Sequence, residues 1–238
     1  MFDPLYMLIL AVGLLLSGGA SFLVKSRFAR GQKTGLMTGY TGKDVALAIL
    51  RSAGISDVRV REHRGFLSDH YNPVDRTLNL SPEVYHGINA SAAGVAAHET
   101  GHAIQHARGY APMWLRSALV PAANLGSNFG PWLVILGIVL GAAEGAGLGV
   151  TVAKVGVALF GAATLFTVVT VPVEVDASSR AKKLLGELGI VRGGEESEAV
   201  AGVLSAAALT YVAAAITSVL TLLDWAARAG LLGGRRND

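Results

Sequence analysis

His98-Glu99-Thr100-Gly101-His102 sets two imidazoles four residues apart with a carboxylate next to the first. On an α-helix, residues four apart share one face, one turn above the other. Two imidazoles so placed can grip one zinc ion at about 2.0–2.1 Å per nitrogen, leaving a coordination position open. Glu99 is aimed at that position, where it can take a proton from an attacking water. Zinc lowers the pKa of such a water to about 7 and polarises a scissile carbonyl, so a peptide bond can be hydrolysed without a nucleophilic side chain. The helix is apolar ahead of the motif, with Ala92, Ala93, Val95, Ala96 and Ala97. His98 and Glu99 therefore enter a partly buried setting where uncompensated polar groups would be costly, which weighs against a metal-free pair of solvated histidines. The chain has no cysteine, which excludes a thiol nucleophile, a disulfide scaffold and cysteine-ligated zinc.

His106 continues the same face eight residues beyond His98, but that is about 12 Å along the helix, too far to share an ion. It is expected to be structural or to support the site from outside. Catalytic zinc commonly takes two His and one Glu, so a third ligand must come from elsewhere. The segment VPVEVDASSRAKKL places Glu174 and Asp176 directly after an apolar run. If the intervening hairpin crosses a membrane twice, both return to the side of the His helix. This favours Glu174 over Glu62, Glu83 or Glu195 as ligand, with Asp176 more suited to orienting a ligand histidine. His63, His70 and His86 lie in or beside expected strands and read as surface or hydrogen-bonded residues. Arg180 and Tyr211 are candidates to stabilise an oxyanion, and nothing in the sequence chooses between them.

The elements that must position these groups follow from composition. Of 238 residues, 52% are hydrophobic and only 16% charged, with mean hydropathy +0.48, against about 25% charged in a typical soluble chain. Leu5 to Val24 carries no charge and is long enough for one bilayer core of about 30 Å. Lys25, Arg27, Arg30 and Lys33 follow it, as at a cytoplasmic helix exit. That placement explains the net charge of +3 without a nucleic-acid partner. Residues 25–116 hold 19 of the 37 charged residues and are expected to form a water-facing α+β domain. It should contain a short helix ended by Gly54, strands around 57–63 and 76–82, and the motif helix, capped by Asn89 or Ser91 and stopped by Gly109. Residues 117–171 read as a transmembrane hairpin, 172–199 as the continued catalytic domain, 200–223 as a fourth membrane helix rich in small residues, and 224–238 as a polar tail.

An amino-terminal span, Leu-Ser-Asp-His-Tyr-Asn-Pro at 67–73, Leu-Asn-Leu-Ser at 78–81, AAHETGHAIQH at 96–106, PVEVDAS at 172–178 and LTYVAAA at 209–215 together resemble the bacterial YugP-like membrane zinc metallopeptidases. The likeness covers nearly the whole chain. More distantly the sequence is similar to the HtpX and CAAX-protease membrane gluzincins, which also set a membrane hairpin between H-E-x-x-H and the Glu ligand. The resemblance implies zinc on His98, His102 and Glu174, with Glu99 as general base. In the HtpX pattern an Asp follows the Glu ligand by four residues, whereas here Asp176 follows by two and Ser178 by four. By analogy with gluzincins, the strand at 77–80 would lie along the cleft and pair with an extended substrate.

The expected protein is thus an α-helical multi-pass membrane protein with a small zincin-like (gluzincin) α+β catalytic domain. It would act as a zinc endopeptidase on protein or peptide substrates, membrane proteins included, at the cytoplasmic face of the cell membrane. Two alternatives come from other classes. A site-2 type intramembrane protease needs an Asp on a later membrane helix, and the runs 117–143 and 148–171 contain none. A non-catalytic scaffold or chaperone-like protein would use zinc structurally.

Overall fold

The computed structural model describes residues 3–65, 68–142, 145 and 147–232. Leu67 of the stretch at 67–73, Glu144 of the hairpin turn and the end of the polar tail from 233 lie outside them. The chain runs α1 (Pro4–Gly31), α2 (Gly42–Ser52), β1 (Arg59–Glu62), β2 (His70–Asn72), β3 (Thr77–Leu80), α3 (Pro82–Tyr85), α4 (Ala90–Ala107), α5 (Ala111–Val139), α6 (Gly147–Glu187) and α7 (Glu195–Arg228). Among the described residues, four helices, α1, α5, α6 and α7, are long and apolar enough to cross a membrane. The chain divides into two compact units: Met1–Gly18 with Leu115–Val171 and Tyr211–Asp238, and Gly19–Trp114 with Pro172–Thr210.

The first unit is a helical assembly held by close backbone approach. A Cβ on Gly126 would strike the Leu159 carbonyl, so α5 and α6 can touch only because that position has no side chain. Small residues allow such contacts where lipid provides no hydrophobic driving force between helices. The hydroxyls of Thr164 and Ser218 pair at 2.8 Å between α6 and α7, and the Phe160 and Trp225 rings pack 4.8 Å apart. Arg228 donates to Asp224 at 2.7 Å and to Asp3 at 2.9 Å, tying the end of α7 to the start of α1. Helix α5 begins at Ala111 rather than 117 and carries Pro121 and Pro131 in its interior.

The second unit contains the sheet, in the order β1-β3-β2, with β1 parallel and β2 antiparallel to β3. Helix α2 starts in a capping box between Thr41 and Asp44, and Asn89 caps α4 by accepting from the Ala92 amide at 2.9 Å. Leu78 and Leu80 of β3 bury fully in one core with Val45 and Ile49 of α2, Ala93 and Ala97 of α4, and Val173 and Leu185 of α6. Two features differ from the sequence expectation. The stretch between the two expected strands, rich in turn formers, contains a third strand, β2. Tyr71 anchors it by burying its side chain, while Asn72 Oδ1 accepts from the Val74 amide at 2.9 Å and starts the turn only afterwards. As a consequence β3 is the central strand, hydrogen-bonded on both sides, and cannot add an extended substrate as expected for residues 77–80. The second difference is that α6 does not stop at 171. It runs 41 residues, about 62 Å at 1.5 Å per residue, so the segment carrying Glu174 is helical.

Candidate metal centre

The site arises where α4 meets the part of α6 beyond Pro172. Gly101 is the contact: a Cβ there would lie 2.9 Å from the Ala177 carbonyl oxygen and 3.2 Å from its Cα. With no side chain between them the helices close, and both motif histidines face Glu174. His98 Nε2 lies 3.1 Å and His102 Nε2 3.5 Å from Glu174 Oε2. Ligands bound tetrahedrally at 2.0–2.1 Å stand about 3.3–3.4 Å apart, so the two separations match a zinc coordination sphere. All three residues are buried and offer donor atoms within 4.8 Å of one another.

The remaining imidazole nitrogens are held from outside. His98 Nδ1 is 3.1 Å from Ser178 Oγ, and His102 Nδ1 is 2.9 Å from Gln105 Oε1. Gln105 in turn donates to the Val173 carbonyl and to Asp176 Oδ2, each at 2.8 Å. Burial alone would raise the Glu174 carboxyl, but hydrogen bonds from His102 and His98 more than offset it and hold the group well below the usual carboxylate range. For His102, burial works against the charged form, and Glu174 and Glu99 outweigh it, so the imidazole is pushed up. A converging, acceptor-rich donor set of this kind suits a divalent cation.

Glu99 points off the same helix and accepts a hydrogen bond from the Tyr71 amide of β2 at 3.1 Å. Burial pushes its carboxyl up, the two histidines pull it down by less, and Glu174 and Asp69 add to the rise. The Tyr71 hydroxyl is 2.8 Å from His106 Nδ1, so Tyr71 fastens β2 to α4 at both ends of one residue. His106 has no part in the three-donor group. His70 Nδ1 is 2.8 Å from the Ser68 carbonyl, His86 is 3.2 Å from Glu62, and His63 packs edge-on against His70. Arg180 binds Asp176 at 2.6 Å, and Tyr211 lies on α7 in the other compact unit. Sequence reasoning gave no role to Gln105 or Tyr71, and noted Ser178 only as the residue four after Glu174. Gln105 and Ser178 were reachable by helical spacing, three residues after His102 and four after Glu174, while Tyr71 carried no local signal.

Residues 6–230 match the family described as "Putative neutral zinc metallopeptidase". The chain is 44% identical over 219 residues to the "Putative membrane protease YugP" of Bacillus subtilis (strain 168), an alignment covering 92% of this chain and 93% of that protein. No solved structure matches it. With a match over almost its full length and a His-His-Glu donor set of zinc type, the chain belongs to the neutral zinc metallopeptidase family, and zinc is its metal.

Proposed function

We propose that this chain is a multi-pass membrane zinc endopeptidase that cuts protein or peptide substrates at the cytoplasmic surface, with His98, His102 and Glu174 as ligands and Glu99 as general base. The observation that carries the reading is the separation of Glu174 Oε2 from the two Nε2 atoms, 3.1 and 3.5 Å, with three protein donors among the described residues. Structural zinc sites close with four protein ligands, whereas catalytic ones keep a position open. Zinc bound there supplies an electrophile that acidifies water and polarises a carbonyl oxygen. Glu99 accepts the proton of the attacking water and passes it to the leaving amine, and its raised carboxyl makes it a better proton acceptor near neutrality than an ordinary Glu. The Tyr71 amide orients that carboxylate.

The cytoplasmic assignment rests on Lys25, Arg27, Arg30 and Lys33 after the apolar part of α1. A fourth crossing by α7 is supported by parity. Arg228 binds Asp3, so the start of α1 and the end of α7 share one side, which one crossing plus a hairpin would not achieve. Substrates are expected to be unfolded segments, those of membrane proteins included.

The test is cleavage of an unfolded protein by detergent-purified wild type and Glu99→Gln, with zinc determined on both. Equal zinc and loss of cleavage by roughly 10²–10⁴-fold supports the assignment. A Glu99→Gln protein that cuts like wild type overturns the general base, and wild type that holds no zinc overturns the site.

A further inference from the structure

The hydrogen bonds behind His102 form a directed chain, and each link fixes the next. Gln105 is fully buried, and its amide nitrogen has two acceptors in front of it, the Val173 carbonyl and Asp176 Oδ2, each at 2.8 Å. Rotating the amide would turn its oxygen onto two other oxygens, so nitrogen faces them and oxygen faces His102. An amide oxygen only accepts. His102 Nδ1, 2.9 Å away, must therefore carry the hydrogen, so Nε2, 3.5 Å from Glu174 Oε2, is the nitrogen left to bind a metal. Asp176 is itself held by the Arg180 guanidinium at 2.6 Å. Its negative charge draws on the Gln105 N–H and polarises the amide, making Oε1 a stronger acceptor and His102 a more basic ligand.

We infer that Arg180, Asp176 and Gln105 form a positioning relay that selects the Nδ1–H form of His102 and strengthens its hold on zinc. The amide serves here as an insert between carboxylate and imidazole. His98 has only a neutral hydroxyl, Ser178 Oγ at 3.1 Å, so the support of the two histidines is unequal. Arg180 thereby takes a role in the relay in place of contact with substrate. The inference rests on the proposed ligand set.

Zinc affinity measured by chelator competition, together with the visible absorption spectrum of the cobalt-loaded protein, tests it. Gln105→Met and Asp176→Asn are compared with His102→Ala and wild type, with thermal melting of each zinc-stripped protein to read folding. Gln105→Met removes the acceptor; Asp176→Asn keeps the shape but removes the charge, and it covers the case in which the buried Gln105 variant fails to fold. The expected result is a roughly 10–100-fold loss of zinc affinity in both relay variants, with a displaced cobalt spectrum and unchanged melting of stripped Asp176→Asn. If His102→Ala loses zinc while Asp176→Asn binds zinc and absorbs with cobalt as wild type does, the relay is overturned and the ligand set stands. If His102→Ala binds zinc as tightly as wild type, the ligand set itself is wrong.

Discussion

The backbone amide of Tyr71 donates to the Glu99 carboxylate at 3.1 Å, joining the edge strand of the sheet to the residue proposed as general base. The Tyr71 side chain makes a second attachment to the same helix, at His106, seven residues beyond Glu99. Strand and helix are thereby fixed in register. Tyr71→Phe removes only the second attachment. It is expected to cost about 1 kcal/mol of stability, the net value of one hydrogen bond, with the zinc content unchanged. Thermal melting and metal analysis of the variant check this; a loss of zinc would mean that the phenol matters to the site itself.

Gly101→Ala would set a methyl group 2.9 Å from the Ala177 carbonyl oxygen. Backbone cannot yield as a side chain tip can, so α4 and α6 must part. The expected cost is about 1–3 kcal/mol, and because Glu174 and the histidines sit on opposite sides of that contact, zinc affinity should fall as well. Melting and chelator competition on one preparation read both effects.

Glu174→Gln keeps the volume but removes the charge that the two histidines face. A large loss of zinc is expected, measured by metal analysis after dialysis, and peptidase activity should disappear with it. In wild type, a zinc chelator should abolish cleavage and added zinc should restore it, whereas retained activity in the chelator would contradict metal-dependent hydrolysis.

Asp69 gives a pH signature. Burial pushes its carboxyl up by more than the Ser81 hydrogen bonds pull it down, and Glu83 adds to the rise. Since its folded value lies above the unfolded one, its contribution to stability is full below the ordinary carboxylate range and is lost as pH rises through the raised value. Asp69→Asn keeps an acceptor for the Ser81 amide and does not titrate. The melting temperature of the variant relative to wild type should therefore climb with pH across that window and then level off. A difference that stays flat with pH would contradict the buried carboxylate.

Much of this site could be read from residue order because helices obey short-range rules. His98, Glu99 and His102 declare themselves by spacing, and Glu174 by its place after an apolar hairpin. Asn89 and Gly109 mark the ends of α4 for local reasons, a side-chain cap and a positive φ of 64°. Strand β2 did not declare itself, because three residues between turn formers become a strand only when β3 supplies partners. The displacement of β3 from edge to centre follows from that one unseen pairing. Gln105 gave only the hint of its spacing from His102, since an uncharged residue on a helix acquires its role from Val173 and Asp176, about seventy positions away.

Thr100 and Gly101, the two positions that the five-residue pattern leaves unspecified, are not blank in this protein. Thr100 is fully buried, with its hydroxyl returned to the Ala96 carbonyl at 2.7 Å, and Gly101 is the surface on which a second helix rests. The pattern therefore carries five constraints written as three. A library that randomises the two apparent gaps while keeping both histidines and the glutamate would preserve every letter of the signature and lose most functional members, because the gaps encode the meeting of two helices.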